Sequence, residues 1–157
     1  MMTETQLLRL ACTTARGQSH DARTQCAALI VNLDEDKLAW GVNHFPAGCP
    51  QNQTRKWDFM EHAERAAIYS CARHGVATSG CVMYAPWFAC PDCARAIILA
   101  GIKEVVGLCM LRDLTAEKWR EPIETADEML TDAGVNLRWV NEKMGVTIMF
   151  DGKAVFL

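Results

Sequence analysis

Leu7, Leu8, Leu10 and Ala11 recur among polar neighbours at helical spacing, which predicts an amphipathic helix over Thr3 to Arg16. Thr3 and Gln6 stand at the two positions of a capping box, and Gly17 is expected to stop the helix. Residues 18–25 are a polar loop. Cys26 to Leu33 is then an apolar run of strand length, Asp34-Glu35-Asp36 makes a turn, and Lys37 to Val42 returns. Residues 26–43 therefore read as a β-hairpin. Asn43 to Gly48 is rich in turn formers, and residues 49–60 are polar and irregular.

Ala63, Ala66, Ala67, Ile68 and Cys71 mark a second helix, Glu61 to His74, closed by Gly75. Cys81 to Ala85 reads as a buried strand, Pro91 to Gly101 as a helix, and Lys103 to Leu111 as a further strand. Residues 112–120 read as a loop with at most a turn of helix. A fourth helix is predicted to start at Pro122 and end at Gly134, followed by a short strand, Leu137 to Val140. Alternation on both sides of Asp151-Gly152 predicts a hairpin of Val146–Phe150 and Lys153–Leu157. Helices alternating with strands in this order predict an α/β fold: a three-layer α/β/α sandwich around a mixed five-stranded sheet. Its third to fifth strands should pair in parallel, because helices join them. The C-terminal hairpin is an extension whose apolar residues would leave a pairable edge unless covered, and an oligomer interface is expected there.

Composition narrows the setting. A chain of 157 residues, 50% hydrophobic and 22% charged, is expected to form one domain spanning 1–157, with 145–157 as the extension. A net charge of −3 argues against a polyanion partner, yet leaves room for a small anionic ligand bound by a few local cations. The eight cysteines sit mostly among apolar residues. With no secretory leader pattern and no membrane-length apolar run, they point to a reduced, cytoplasmic protein.

Two short stretches carry the chemistry: His62-Ala63-Glu64 and Cys90-Pro91-Asp92-Cys93, each at the start of a predicted helix. One imidazole and two thiols suit a zinc ion with its fourth position left open to water. The positive helix ends favour the thiolate forms of Cys90 and Cys93. Glu64, about 200° around an ideal helix from His62, is a poor second ligand but is placed to relay protons. A Cys-x-x-Cys pair opening a helix is also the setting of a redox dithiol. A structural zinc would need a fourth ligand such as Cys49, His20 or His44.

The two stretches together resemble the zinc signature of the cytidine and deoxycytidylate deaminases. The resemblance continues through Asp21-Ala22-Arg23-Thr24-Gln25-Cys26-Ala27-Ala28-Leu29-Ile30-Val31, similar to the family's first strand and the loop before it. Gly41-Val42-Asn43-His44-Phe45-Pro46 resembles the family's asparagine turn. Cys93-Ala94-Arg95-Ala96-Ile97, Ala100-Gly101-Ile102 and Val105-Val106 extend the likeness over roughly residues 5–112. It implies hydrolytic deamination of a nucleobase amine, with Zn2+ as cofactor held by His62, Cys90 and Cys93 and Glu64 as proton shuttle. Hydroxide formed at the metal would attack the amine-bearing ring carbon. Asn43 and the Ala63 backbone would hold substrate.

Deoxycytidine monophosphate, converted to dUMP and ammonia, is the substrate the resemblance favours. Other bases, nucleosides or nucleotides and a tRNA adenosine are the alternatives, as is a non-catalytic zinc-stabilised binding protein. The phosphate calls for cations, and Arg23, Arg55, Lys56 and Arg112 are candidates by loop position. Ala89 stands where the family usually has proline, His44 where glycine is usual, and Trp87 is expected at the site rim, stacking on a base or packing the core.

Overall fold

In a computed structural model, residues 2–32 and 37–157 are described. The turn expected at Asp34-Glu35-Asp36 and the end of the first strand at Leu33 lie outside them. In chain order the elements are α1 (Glu4–Gln18), β1 (Ala27–Asn32), β2 (Lys37–Val42), a 3-10 turn (Gln53–Arg55), α2 (Lys56–Phe59), α3 (Ala63–His74) and β3 (Val82–Tyr84). Then follow α4 (Pro91–Leu99), β4 (Glu104–Leu108), α5 (Cys109–Asp113), α6 (Glu117–Asp132), β5 (Asn136–Val140), β6 (Thr147–Phe150) and β7 (Lys153–Phe156).

Five strands form one mixed sheet in the order β2-β1-β3-β4-β5. The pairings of β1 with β2 and β3 are antiparallel, and β3, β4 and β5 run parallel, as the helix crossovers require. Strand alternation divides the core in two. Ala28, Ile30, Met83 and Val105 face a layer built from α3, α4 and α6. Leu29, Val31, Val82, Tyr84, Val106 and Leu108 face the other way, where α1 contributes Leu7, Leu8 and Ala11.

That second layer is completed by the C-terminal hairpin, contrary to the expectation that its apolar face serves a partner chain. Val146, Ile148, Phe150 and Leu157 are buried against α1 and the sheet. Asp151 and Gly152 both take positive φ (47° and 77°), the geometry of the tight turn that matches strand twist. The hairpin also clasps the loop before β1. The Gln25 N–H donates to the Met149 carbonyl at 2.8 Å, the Met149 N–H to Gln25 Oε1 at 2.8 Å, and the Gly152 N–H to the Arg23 carbonyl at 2.9 Å.

Three boundaries differ from the periodic pattern. The capping box at Thr3 and Gln6 forms, but α1 runs through Gly17 to Gln18, because an exposed glycine weakens a helix without ending it. β4 stops at Leu108, where its ladder with β5 reaches Val140, and residues 109–111 turn into α5 instead of extending the strand. Helix α6 starts at Glu117 with Pro122 inside it, at the loss of one backbone hydrogen bond. The earlier start puts the half-buried Trp119 and the buried Ile123, four residues apart, on one face.

One close approach fixes the helical layer. A Cβ on Gly41 would lie 2.2 Å from the Ala67 nitrogen and 2.5 Å from the Ala63 carbonyl oxygen, so only glycine lets β2 lie against α3. Gly41→Ala is expected to push α3 outward and destabilise the fold by about 1–3 kcal/mol, the usual cost of overpacking. Equilibrium urea unfolding measures this, and an unchanged midpoint would contradict the close contact.

Candidate active site

Helices α3 and α4 begin side by side, and the residue before each is a potential ligand. His62 is the N-cap of α3 and Cys90 the N-cap of α4, with Pro91 at the first helical position. Neither end has a side-chain cap, so the partial positive charge of both helix starts converges on the same point. His62 Nδ1 lies 3.5 Å from Cys90 Sγ and 3.6 Å from Cys93 Sγ. The three donor atoms all fall within 4.8 Å of one another. Among the described residues no other histidine, cysteine or carboxylate joins them, and Cys49, His20 and His44 lie outside the group. The donor set thus fits a zinc ion with one position left open.

Charge follows from these contacts. A hydrogen bond with the Cys93 thiol, resisted by burial and helped by His62, pulls Cys90 down to about 4. Cys93 is pushed up, by the same shared bond and by burial. His62 is raised by its bond to Cys90, against its burial. Glu64 is raised because it is buried, an effect the nearby His62 charge opposes. Since His62 caps the helix instead of belonging to it, the 200° separation from Glu64 does not apply, and both side chains line one pocket.

The approach to α3 is braced on both sides. His44 and Glu61 exchange backbone hydrogen bonds (3.2 and 2.8 Å), and Glu61 Oε1 accepts from the His62 N–H at 2.8 Å. Arg65 donates to Glu61 at 2.6 Å and reaches Asp92 at 3.6 Å, tying the first turn of α3 to that of α4. Asn43 Oδ1 accepts from the Ala63 N–H at 3.0 Å, and its Nδ2 donates to the Thr24 carbonyl at 3.3 Å. The Ala63 N–H expected to meet a substrate ring is therefore already bonded to Asn43.

Of the expected cations, Arg23 and Lys56 line the pocket, as do Asn43 and Trp87. Arg55 does not: it is exposed, paired with Asp58 at 3.1 Å and lies over the Phe59 ring. Arg112 does not either, being paired with Asp127 and stacked 4.4 Å over Trp139. Lys56 is held by Asp21 at 2.8 Å with both groups nearly sealed from solvent, and Arg23 pairs with Asp151 at 3.2 Å in the open. Trp87 both packs and lines: its Nε1 donates to Thr115 at 3.0 Å, and its ring meets Phe150 and Trp119 edge-on. Sequence reasoning missed Asp21, Lys118, Trp119 and Asp151, which line the same pocket. The Lys-Trp pair on a helical period with Ile123 was the one available signal.

Asp21 does more than hold Lys56, since its Oδ1 also accepts from the Arg23 N–H at 2.9 Å and the Thr24 N–H at 3.2 Å. Asp21→Ala would strand a buried ammonium and is expected to cost about 3–5 kcal/mol. Thermal unfolding of the variant checks this; a loss below 1 kcal/mol would show that Lys56 finds water instead.

Residues 1–109 match the family model for the cytidine and deoxycytidylate deaminase zinc-binding region. Among curated relatives, the deoxycytidylate deaminase of Homo sapiens is 32% identical over 148 residues, covering 85% of this chain and 78% of that protein. The deoxycytidylate deaminase of Pongo abelii gives the same identity and coverage. Among solved structures, dCMP deaminase from the cyanophage S-TIM5 in complex with dCMP and dUMP superimposes with a TM-score of 0.65. It is 21% identical, covers 87% of this chain and 93% of that one, and so speaks for the fold. The chain belongs to the cytidine and deoxycytidylate deaminase family of zinc-dependent hydrolases.

Proposed function

We propose that the chain hydrolyses deoxycytidine monophosphate to dUMP and ammonia. The observation that carries this reading is the buried Glu64 carboxyl beside the His62, Cys90 and Cys93 donor group, at the base of a pocket that also holds cations and indoles. The relatives named deoxycytidylate deaminase support the choice of substrate.

His62, Cys90 and Cys93 would hold zinc, which supplies a Lewis acid able to bring the pKa of water close to neutrality. Glu64 does the proton work. Its carboxylate accepts a proton from the attacking water as the oxygen bonds to C4 of the base. It passes that proton to the ring nitrogen, then takes the second proton from the added hydroxyl and delivers it to the amine as the C4–N bond breaks, so that a carbonyl forms at C4 and ammonia leaves with the bonding pair. Burial raises the Glu64 carboxyl above its ordinary value, and the nearby His62 charge opposes that rise. Phe88 and Ala89, both buried, line the pocket beside Cys90 and keep bulk water from that side. Arg65, Asn43 and Asp21 brace the segments that carry these groups.

No disulfide joins the cysteines among the described residues, which supports a reducing, cytoplasmic setting. Among the described residues no helix is long and apolar enough to cross a membrane. A homo-oligomer belongs to the same reading. Exposed Leu38 and Trp40 on edge strand β2 support it, whereas the hairpin's apolar face is spent inside the chain. Sedimentation that returns only a monomer would remove it.

Glu64→Ala is expected to keep one zinc per chain while ammonia release from dCMP falls by about 10²-fold or more. Cys93→Ala should lose the metal as well. Zinc analysis paired with an ammonia assay over dCMP, deoxycytidine, adenosine and guanine reads both outcomes. Full activity in Glu64→Ala would remove the proton relay, and turnover of guanine in preference to dCMP would remove the substrate.

A further inference from the structure

Exposure orders the pocket from floor to mouth. Glu64, Cys26 and Asn43 are buried, whereas Arg23, Trp57 and Lys118 are exposed. If the amine-bearing ring reaches Glu64, the opposite end of a nucleotide lies toward the mouth, where a phosphate also keeps part of its water. The pocket offers three cations, and two are already matched. Lys56 is sealed in with Asp21, and Arg23 bonds to Asp151. Lys118 has no carboxylate partner among the described residues, and its neighbour Glu117 is taken by Arg120 at 3.2 Å. Its ammonium lies 5.9 Å from the Trp119 ring centre, and the indole limits how far it can range from the pocket.

We infer that Lys118 is the residue that selects a phosphorylated substrate, holding the 5′-phosphate dianion as a point charge at the pocket mouth. The inference rests on the deamination reading above and refines it. Lys118 and Trp119 stand on α6, beyond the matched residues 1–109. The preference for nucleotide over nucleoside is then set on α6. Arg23 is a weaker contributor, because binding phosphate would mean leaving Asp151, although an exposed pair of that kind is readily exchanged.

The test compares wild type with Lys118→Gln and Lys118→Arg. It measures kcat and KM for dCMP and deoxycytidine, and calorimetric binding of dCMP. Loss of one charge-assisted phosphate contact is expected to raise the KM for dCMP by about tenfold or more, with kcat within about twofold. The selectivity of dCMP over deoxycytidine should fall by the same factor, and Lys118→Arg should restore most of it. Added salt should weaken dCMP use by wild type more than by Lys118→Gln. An unchanged selectivity, or equal losses on both substrates, would overturn the assignment. If wild type binds dCMP without releasing ammonia, the deamination reading fails while Lys118 is still judged by binding. Tenfold weaker binding in Lys118→Gln keeps the assignment, and equal binding, or none by either protein, removes it.

Discussion

The organisation of this protein depends on two helices that begin at the same place with ligand-type residues as their caps. A helix start leaves backbone N–H groups unsatisfied and carries partial positive charge, and most helices answer with serine, threonine or aspartate. Here His62 and Cys90 occupy those positions without capping hydrogen bonds. The charge of both helix ends is directed at the imidazole and the two sulfurs, while the hydrogen bond shared with Cys93 pulls Cys90 toward its thiolate. One of the vacant N–H groups, that of Ala63, is satisfied by Asn43, so the asparagine turn and the donor group are parts of one arrangement. The glycine that lets β2 touch α3, the Arg65 bridge to Asp92 and the His44–Glu61 pairing all hold those two helix starts in register.

Electrostatic economy marks the rest of the pocket. Among the described residues six charged side chains line it, three of each sign, and two of the cations are bonded to two of the carboxylates. The pairs differ in kind. Asp21 with Lys56 is enclosed and structural, bonding the loop before β1 to α2, whereas Arg23 with Asp151 is open and worth little on its own. A pocket balanced in this way has no broad positive field for a polyanion, in keeping with a net charge of −3.

The order of elements along the chain, the parallel strands, the capping box at Thr3 and the Asp151-Gly152 turn were legible because each rests on a local pattern: apolar spacing, a cap or a turn pair. The donor residues were legible for the same reason, as His62-Ala63-Glu64 and Cys90-Pro91-Asp92-Cys93 are contiguous motifs. Arg55 and Arg112 misled because loop position says nothing about where a long side chain finds its carboxylate, and Asp58 and Asp127 took them. Lys118 and Trp119 were hidden because Pro122 suggested a later helix start, whereas α6 begins five residues earlier, at Glu117, and brings both to the pocket. The covered hairpin could not be read either, because which sheet face it meets is a long-range question.

The clasp between Arg23 and the Asp151-Gly152 turn joins positions 128 residues apart in the chain. The donor atoms of His62, Cys90 and Cys93, by contrast, come from one local α-β-α stretch. Contacts that close a long loop carry the larger entropic penalty and form later than local ones. The metal-binding group thus rests on contacts close together in the chain, whereas the walls that admit a substrate depend on the last strands docking against the first loop.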